Sequence, residues 1–288
     1  MKKSSILATI ALIITAAIWG LSYSAQAEAM NTMQPLFFVF LRYVIGCIVL
    51  LPAIIFMKKS PDKRLIPGGI ACGVCLAGGE ILQQFGLVYT TAGKAGFLTA
   101  LYVIMIPLIG VFIKKKSDWK IWTASLISVA GAFLLCSDGT IKNIGNLGDL
   151  LMVLCALFFA FQFIAIAKFA PESDALQLAA VQFFTVAVIS GIATLIAGES
   201  CSLQGAAAGL MPLLYCGVIA IGVACTVQVA AQKYVHPATA SIVLSTASIF
   251  AVLWGWLVRN ESYNLQHLAG CALIFAAVLI VQTRKSEY

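Results

Sequence analysis

An arginine and a glutamate stand inside apolar sequence, where charge is costly. Arg42 lies within the apolar run 33–57 and Glu80 within 66–89, each nine residues from the run end that faces the same side. At about 1.5 Å per residue both sit about 13 Å deep, near the middle of a bilayer and able to pair. Arg42 can meet a substrate carboxylate or phosphate, and Glu80 can exchange a proton as part of coupling. The plainer readings are a structural ion pair or separate snorkelling. Around this pair, polar residues recur at helical spacing. Trp19, Ser22, Tyr23 and Gln26 follow i, i+3, i+4 and i+7, a single face. Glu80, Gln83 and Gln84 form a second face, Gln228 and Gln232 a third, and Ser241, Ser245 and Ser248 a fourth. Turned inward, the four stripes form a polar cavity. The competing account is close packing at Ser and inter-helix bonding by Gln. Packing suits the serine stripe better; cavity lining suits the first two stripes.

The elements that carry these residues are membrane spans. The chain has 288 residues, 61% hydrophobic and 10% charged, with mean hydropathy +1.01. Ordinary globular domains carry roughly 25% charge. Apolar runs at 5–27, 33–57, 66–89, 93–113, 118–136, 147–167, 175–197, 209–232, 238–258 and 264–282 each approach the roughly 20 residues a bilayer requires. Their unbroken apolar character excludes spanning strands, which alternate over about ten residues. The fold is therefore expected to be an all-α membrane protein of ten transmembrane helices. The formal charge of +7 sits in short clusters between runs, a topology signal rather than a nucleic-acid surface. Lys2, Lys3, Lys58, Lys59, Lys63, Arg64, Lys114, Lys115, Lys116, Lys120, Lys168, Lys233, Arg284 and Lys285 fall on one side, against Lys142 and Arg259 on the other. The positive-inside rule makes both termini cytoplasmic in an inner (cell) membrane protein. Trp119 and Trp122 mark the cytoplasmic interface, and Trp254 and Trp256 approach the outer one.

The opening Met-Lys-Lys and a cleavage-like Ala25-Gln-Ala27 resemble a signal peptide. Nine further spans and the polar stripe argue for a retained first helix. Eight of nine cysteines lie in apolar runs and read as small buried residues; Cys201 is in a loop. Cys72 and Cys75 spell CxxC without a second pair or a nearby His, and His236 and His267 lack companion ligands. No metal and no cofactor are expected.

Self-comparison relates the two halves. An offset of 145 places Gln83 on Gln228, Tyr89 on Tyr234 and Gly110 on Gly255; an offset of 140 places Ser22 on Gln162 and Arg42 on Gln182. Gln162 and Gln182 thereby become candidate site residues. Two halves, 1–140 and 141–288, of five spans each must enter the membrane from opposite sides. Inverted repeats are the architecture of alternating access.

The segment Thr90-Thr-Ala-Gly-Lys-Ala-Gly-Phe-Leu-Thr-Ala-Leu-Tyr102, Pro107, the early Trp19-Gly20, the Pro35 to Arg42 spacing and Glu261 with Gly270 resemble the EamA-like branch of the drug/metabolite transporter superfamily over essentially the whole chain. The resemblance implies two inverted five-helix repeats, a central cavity and transport of small metabolites such as amino acids, often outward. It also places Lys94 and Tyr102 in the most family-like segment as candidate cavity residues, although Lys94 can instead snorkel to the outer interface. The second half departs at Gln182 and at Phe158-Phe159, where Arg42 and the Trp-Gly pair stand in the first.

The function expected is a multi-pass secondary transporter of small metabolites, not an enzyme. No Walker-type loop is present. Expected partners are a small-molecule substrate and the lipid bilayer, with no nucleic acid and a homodimer left open. The alternative is an intramembrane enzyme acting on lipid-like substrates; a channel or sensor ranks third.

Overall fold

The computed structural model describes residues 3–56, 62–90, 92–113, 118–136, 146–259 and 264–283, with the side chains of 3, 92–94, 136, 255, 256, 258 and 259 set aside. Of the sequence expectations, Lys2, Lys58, Lys59, Lys114, Lys115, Lys116, Lys142, Glu261, Arg284, Lys285 and the side chains of Lys3, Lys94, Trp256 and Arg259 lie outside this set.

Ten helices carry the described chain. They are α1 (Lys3–Ala29), α2 (Pro35–Phe56), α3 (Leu65–Tyr89), α4 (Ala92–Ala100, resuming as Tyr102–Phe112), α5 (Trp119–Cys136), α6 (Leu147–Phe169), α7 (Ala175–Ala197), α8 (Leu210–Leu214, Tyr215–Cys225 and Thr226–Ala231), α9 (Pro237–Leu244, resuming as Ala247–Arg259) and α10 (Leu265–Gln282). A short helix, Leu203–Ala208, precedes α8. Nine of the ten are long and apolar enough to cross a membrane, and the apolar stretch Trp119–Leu135 of α5 is slightly shorter. Lipid-facing positions such as Ile55, Phe184 and Leu195 are apolar and exposed, a surface that only hydrocarbon can cover. The protein is an all-helical, multi-pass membrane protein.

The two halves repeat each other element by element. Alpha1 ends at Ala29 and α6 at Phe169, and α2 opens at Pro35 and α7 at Ala175, the offset of 140 seen in the sequence. Alpha3 and α8 open at Leu65 and Leu210, and α4 and α9 at Ala92 and Pro237, the offset of 145. The change of offset falls in the connection that contains the short helix. The repeats are inverted, because α2 begins at the end of the bundle where α7 finishes. Its first free N–H groups, on Leu36 and Phe37, donate to the Glu199 carboxylate at 3.2 and 2.9 Å. At the other end Arg64, just before α3, pairs with Glu172, just before α7.

Local chemistry sets the helix ends and breaks. Gly198 takes φ 65°, the left-handed conformation that closes α7. Asp174 caps α7 by accepting from Leu176 and Gln177 N–H. Alpha4 and α9 were expected as continuous spans and are instead broken at corresponding places, at Leu101 and at Ser245–Thr246. Within α4, Pro107 has no N–H to offer the Val103 carbonyl, which accepts from Ser125 Oγ of α5 at 3.2 Å. In α9, the hydroxyls of Ser245 and Thr246 donate to the Ile242 and Val243 carbonyls at 2.6 and 2.7 Å and compete with the helical ladder.

Two large apolar cores flank the middle of the bundle. Trp19 and Phe159, repeat mates by the offset of 140, are the two aromatic side chains that pack against both. The space between the cores is where the polar stripes meet.

Candidate functional site

A cavity of about 90 Å³ lies between the two cores. That is room for several water molecules, since one occupies roughly 10–15 Å³ on this scale. Its wall is ordered by the repeat. Trp19, Ser22 and Tyr23 of α1 face the cavity together with Phe159, Gln162 and Phe163 of α6, their mates at 140. Leu76, Glu80 and Gln83 of α3 do so with Ile221, Cys225 and Gln228 of α8, and Thr99 and Tyr102 of α4 with Leu244 and Ala247 of α9, all at 145. The remaining wall residues are Gln26, Arg42, Cys216 and Ala220. A wall composed almost wholly of mates places the cavity on the pseudo-two-fold axis between the repeats. Tyr43 and Phe183, also related by 140, meet edge-to-face beside it with ring centroids 5.8 Å apart.

The Arg42 and Glu80 side chains pair, one of the arrangements that their depths allowed. Arg42 Nη2 donates to Glu80 Oε2, and Tyr43 Oη donates to Oε1 at 2.9 Å. The guanidinium also lies 5.0 Å from the Phe38 ring centroid and 5.8 Å from that of Tyr43, a cation–π environment. The two members differ in access: the Arg42 side chain is 3% exposed and that of Glu80 12%. Both line the cavity, and the carboxylate is the more exposed of the two.

Alpha8 departs from regular helix along the wall. Tyr215–Cys225 is π-helical, a geometry often found at functional sites. Alpha1 docks on its carbonyls: Trp19 Nε1 donates to Ala220 O at 3.2 Å and Thr15 Oγ1 to Ala224 O at 3.4 Å, while Tyr215 Oη returns a bond to Ile18 O at 2.6 Å. Gly20 lets α1 approach α9, since a Cβ there would sit 2.8 Å from the Ala247 carbonyl oxygen.

Several wall amides hold unused hydrogen-bonding capacity. Gln26 Nε2 donates to Ser22 Oγ at 3.4 Å, but its Oε1, together with Gln162 Nε2, Gln228 Nε2 and Arg42 Nε, is buried without a partner among the described residues. Buried polar groups are ordinarily satisfied, so these atoms suit a polar guest.

Ten of the fifteen candidate site residues meet at this cavity: Trp19, Ser22, Tyr23, Gln26, Arg42, Glu80, Gln83, Tyr102, Gln162 and Gln228. Four of the others do not line it. Gln84 and Gln182 are fully buried elsewhere, with neither amide atom paired among the described residues. Ser241 donates to Ala238 O within its own helix, and Ser245 bonds Ser128 of α5 at 2.8 Å, the packing role favoured for the serine stripe. Lys94 belongs to α4, and its side chain lies outside the described set. Thr99, Phe159, Phe163, Cys216, Ala220, Leu244 and Ala247 line the wall without having been singled out. The repeat offsets applied to Trp19, Tyr23 and Tyr102 point to Phe159, Phe163 and Ala247, so part of that signal was in the sequence.

Known proteins agree with this architecture. The EamA-like transporter family matches the chain twice, over residues 6–137 and 146–283. An uncharacterized transporter of Archaeoglobus fulgidus is 30% identical over 278 residues, covering 96% of this chain and 86% of that relative. The uncharacterized inner membrane transporter YedA of Escherichia coli K12 is 23% identical over 91% of this chain and 87% of its own length. YoaV, an uncharacterized transporter of Bacillus subtilis, is 20% identical over 91% and 92%. A solved crystal structure at 17% identity shares the fold, with TM-score 0.78 over 98% of this chain and 97% of the other.

Proposed function

The chain belongs to the EamA-like transporter family, and from that premise we propose that it is an inner-membrane secondary carrier that exports small metabolites, amino acids or related compounds, by alternating access. The observation that carries the reading is the cavity on the pseudo-two-fold axis, walled by mates from both halves. When the inverted halves exchange conformations, such a site faces one end of the bundle and then the other. Glu80, Arg42 and the wall amides form the binding set.

Each end is held by bonds between the halves that opening must break. At one end Glu199 caps α2, and Gln34 Oε1 accepts from Ser200 N–H at 3.1 Å. At the other, Arg64 pairs with Glu172, and Lys233 donates to the Ser173 carbonyl. The described basic residues Lys63, Arg64, Lys120, Lys168 and Lys233 share this second end with the N-terminus of α1. By the positive-inside rule it is the cytoplasmic end, and both termini are cytoplasmic. The relatives carry transporter names, which supports a non-enzymatic role.

The test is uptake into proteoliposomes of a labelled panel of amino acids, amines and small organic anions. Saturable flux that falls on the order of tenfold or more in Glu80→Gln and Arg42→Ala, with both variants still monodisperse in detergent, is the expected result. Flux that rises linearly with concentration for every solute would mean a pore instead.

A further inference from the structure

Since mates wall the cavity, its two sides can be compared position by position, and most of the differences run one way. Where the first half offers Tyr23, Glu80 and Thr99, the second offers Phe163, Cys225 and Leu244. The first wall is polar and the second largely apolar. A solute fitted to both is amphipathic and binds in one orientation.

The pole it presents to the first wall follows from the Arg42–Glu80 pair. Both residues line the cavity, but Arg42 is almost wholly buried, packed by the Phe38 and Tyr43 rings and paired with Glu80. An entering anion therefore has to compete with Glu80 for a guanidinium that is already paired. A carboxylate has about four acceptor positions; Arg42 and Tyr43 take one each, which leaves acceptor capacity on the more exposed member. An ammonium group fits it, with the aromatic rings of Tyr23 and Tyr102 on the same wall. Of the unpartnered donors at the wall, Arg42 Nε belongs to a guanidinium that Glu80 already compensates, while Gln162 Nε2 and Gln228 Nε2 are neutral, and both of these residues are 2% exposed. They suit a hydroxyl or carbonyl oxygen. A solute carboxylate would lose its hydration with only neutral amides and an already paired guanidinium to replace it.

Resting on the carrier reading, we propose that the solute class is amphipathic amines: an ammonium at Glu80, an aryl or branched alkyl body against the second wall, and no carboxylate. The amino-acid-related compounds that fit are those in which the carboxylate is missing or replaced by a neutral group.

The test uses the full chain in lipid nanodiscs and four probes sharing one phenyl body: 2-phenylethylamine, phenylalaninol, phenylalanine and 3-phenylpropionate. Equilibrium binding to the unaltered protein is expected to rank the two amines at least about tenfold tighter than phenylalanine, with no saturable binding of the propionate. Glu80→Gln should abolish the preference for amines. Ala247→Phe should weaken both aryl amines by narrowing the second wall. Equal or tighter binding of phenylalanine or the propionate overturns the proposal, as does failure of both amines to bind. The ranking in the unaltered protein requires no variant to fold. Amine binding without flux of any solute would leave this inference standing and remove the carrier; saturable flux of anions without amine binding would do the reverse.

Discussion

One ion pair, Arg42 with Glu80, sits in the wall of the cavity. Removing one member of a buried pair leaves an uncompensated charge, at a cost of about 3–5 kcal/mol. Arg42→Ala and Glu80→Gln should accordingly both lower the melting temperature in detergent, the first stranding a carboxylate that can take up a proton and the second a guanidinium that cannot lose one. Replacing both by methionine should restore stability while flux stays absent. If flux returns with stability, the pair only holds the fold. Ser125 makes a second residue-scale case. It is fully buried and supplies the donor that Pro107 withholds from Val103. Ser125→Ala should destabilise by about 1–3 kcal/mol, and Ser125→Thr, which keeps a hydroxyl, should not. The pairing of Arg42 with Glu80 was legible from the sequence because depth in a span is counted in residues. The role of Ser125 was not, because which hydroxyl reaches which freed carbonyl depends on packing between helices.

The helix ends and crossings decide which state the bundle occupies. Alpha7 carries its own cap in Asp174, whereas the free N–H groups of α2 are satisfied by Glu199 from the other half. A cap that belongs to the opposite repeat is released when that end opens. Losing such a cap costs about 0.5–2 kcal/mol. Glu199→Ala should therefore favour the state open at that end by roughly two- to thirtyfold. Faster labelling of a cysteine placed at Thr32 by an impermeant reagent checks this, and an unchanged labelling rate counts against a gating role. Alpha5 and α10 cross at Gly131 and Gly270, where a Cβ on either would lie 2.8 or 2.7 Å from the other's carbonyl oxygen. Gly131→Ala must push two backbones apart and should cost about 1–3 kcal/mol, read as lost thermal stability. Span positions were readable because apolar length is a strong signal. The break at Leu101, that at Ser245–Thr246 and the π-helical stretch Tyr215–Cys225 were not, since each replaces one helical hydrogen-bond pattern with another without altering composition.

For the whole molecule, the inverted repeat is the feature from which the proposed mechanism follows. Matches such as Gln83 with Gln228 hinted at it, and the helix boundaries and cavity wall repeat with the same offsets. The polar half of the wall could be read from α1 and α3 because polar residues in apolar runs stand out. The apolar half could not, because Phe163, Leu244 and Ala247 look like any lipid-facing residue until the fold turns them inward. Alternate opening of the two ends of the bundle about one cavity is measured by double electron–electron resonance in nanodiscs. One spin-label pair at positions 32 and 204 spans the Glu199 end, and one at 63 and 172 spans the Arg64 end. The account predicts two distance populations at each end, shifting in opposite senses when a carried solute is added. Distances that stay fixed at both ends, or lengthen together, would contradict it.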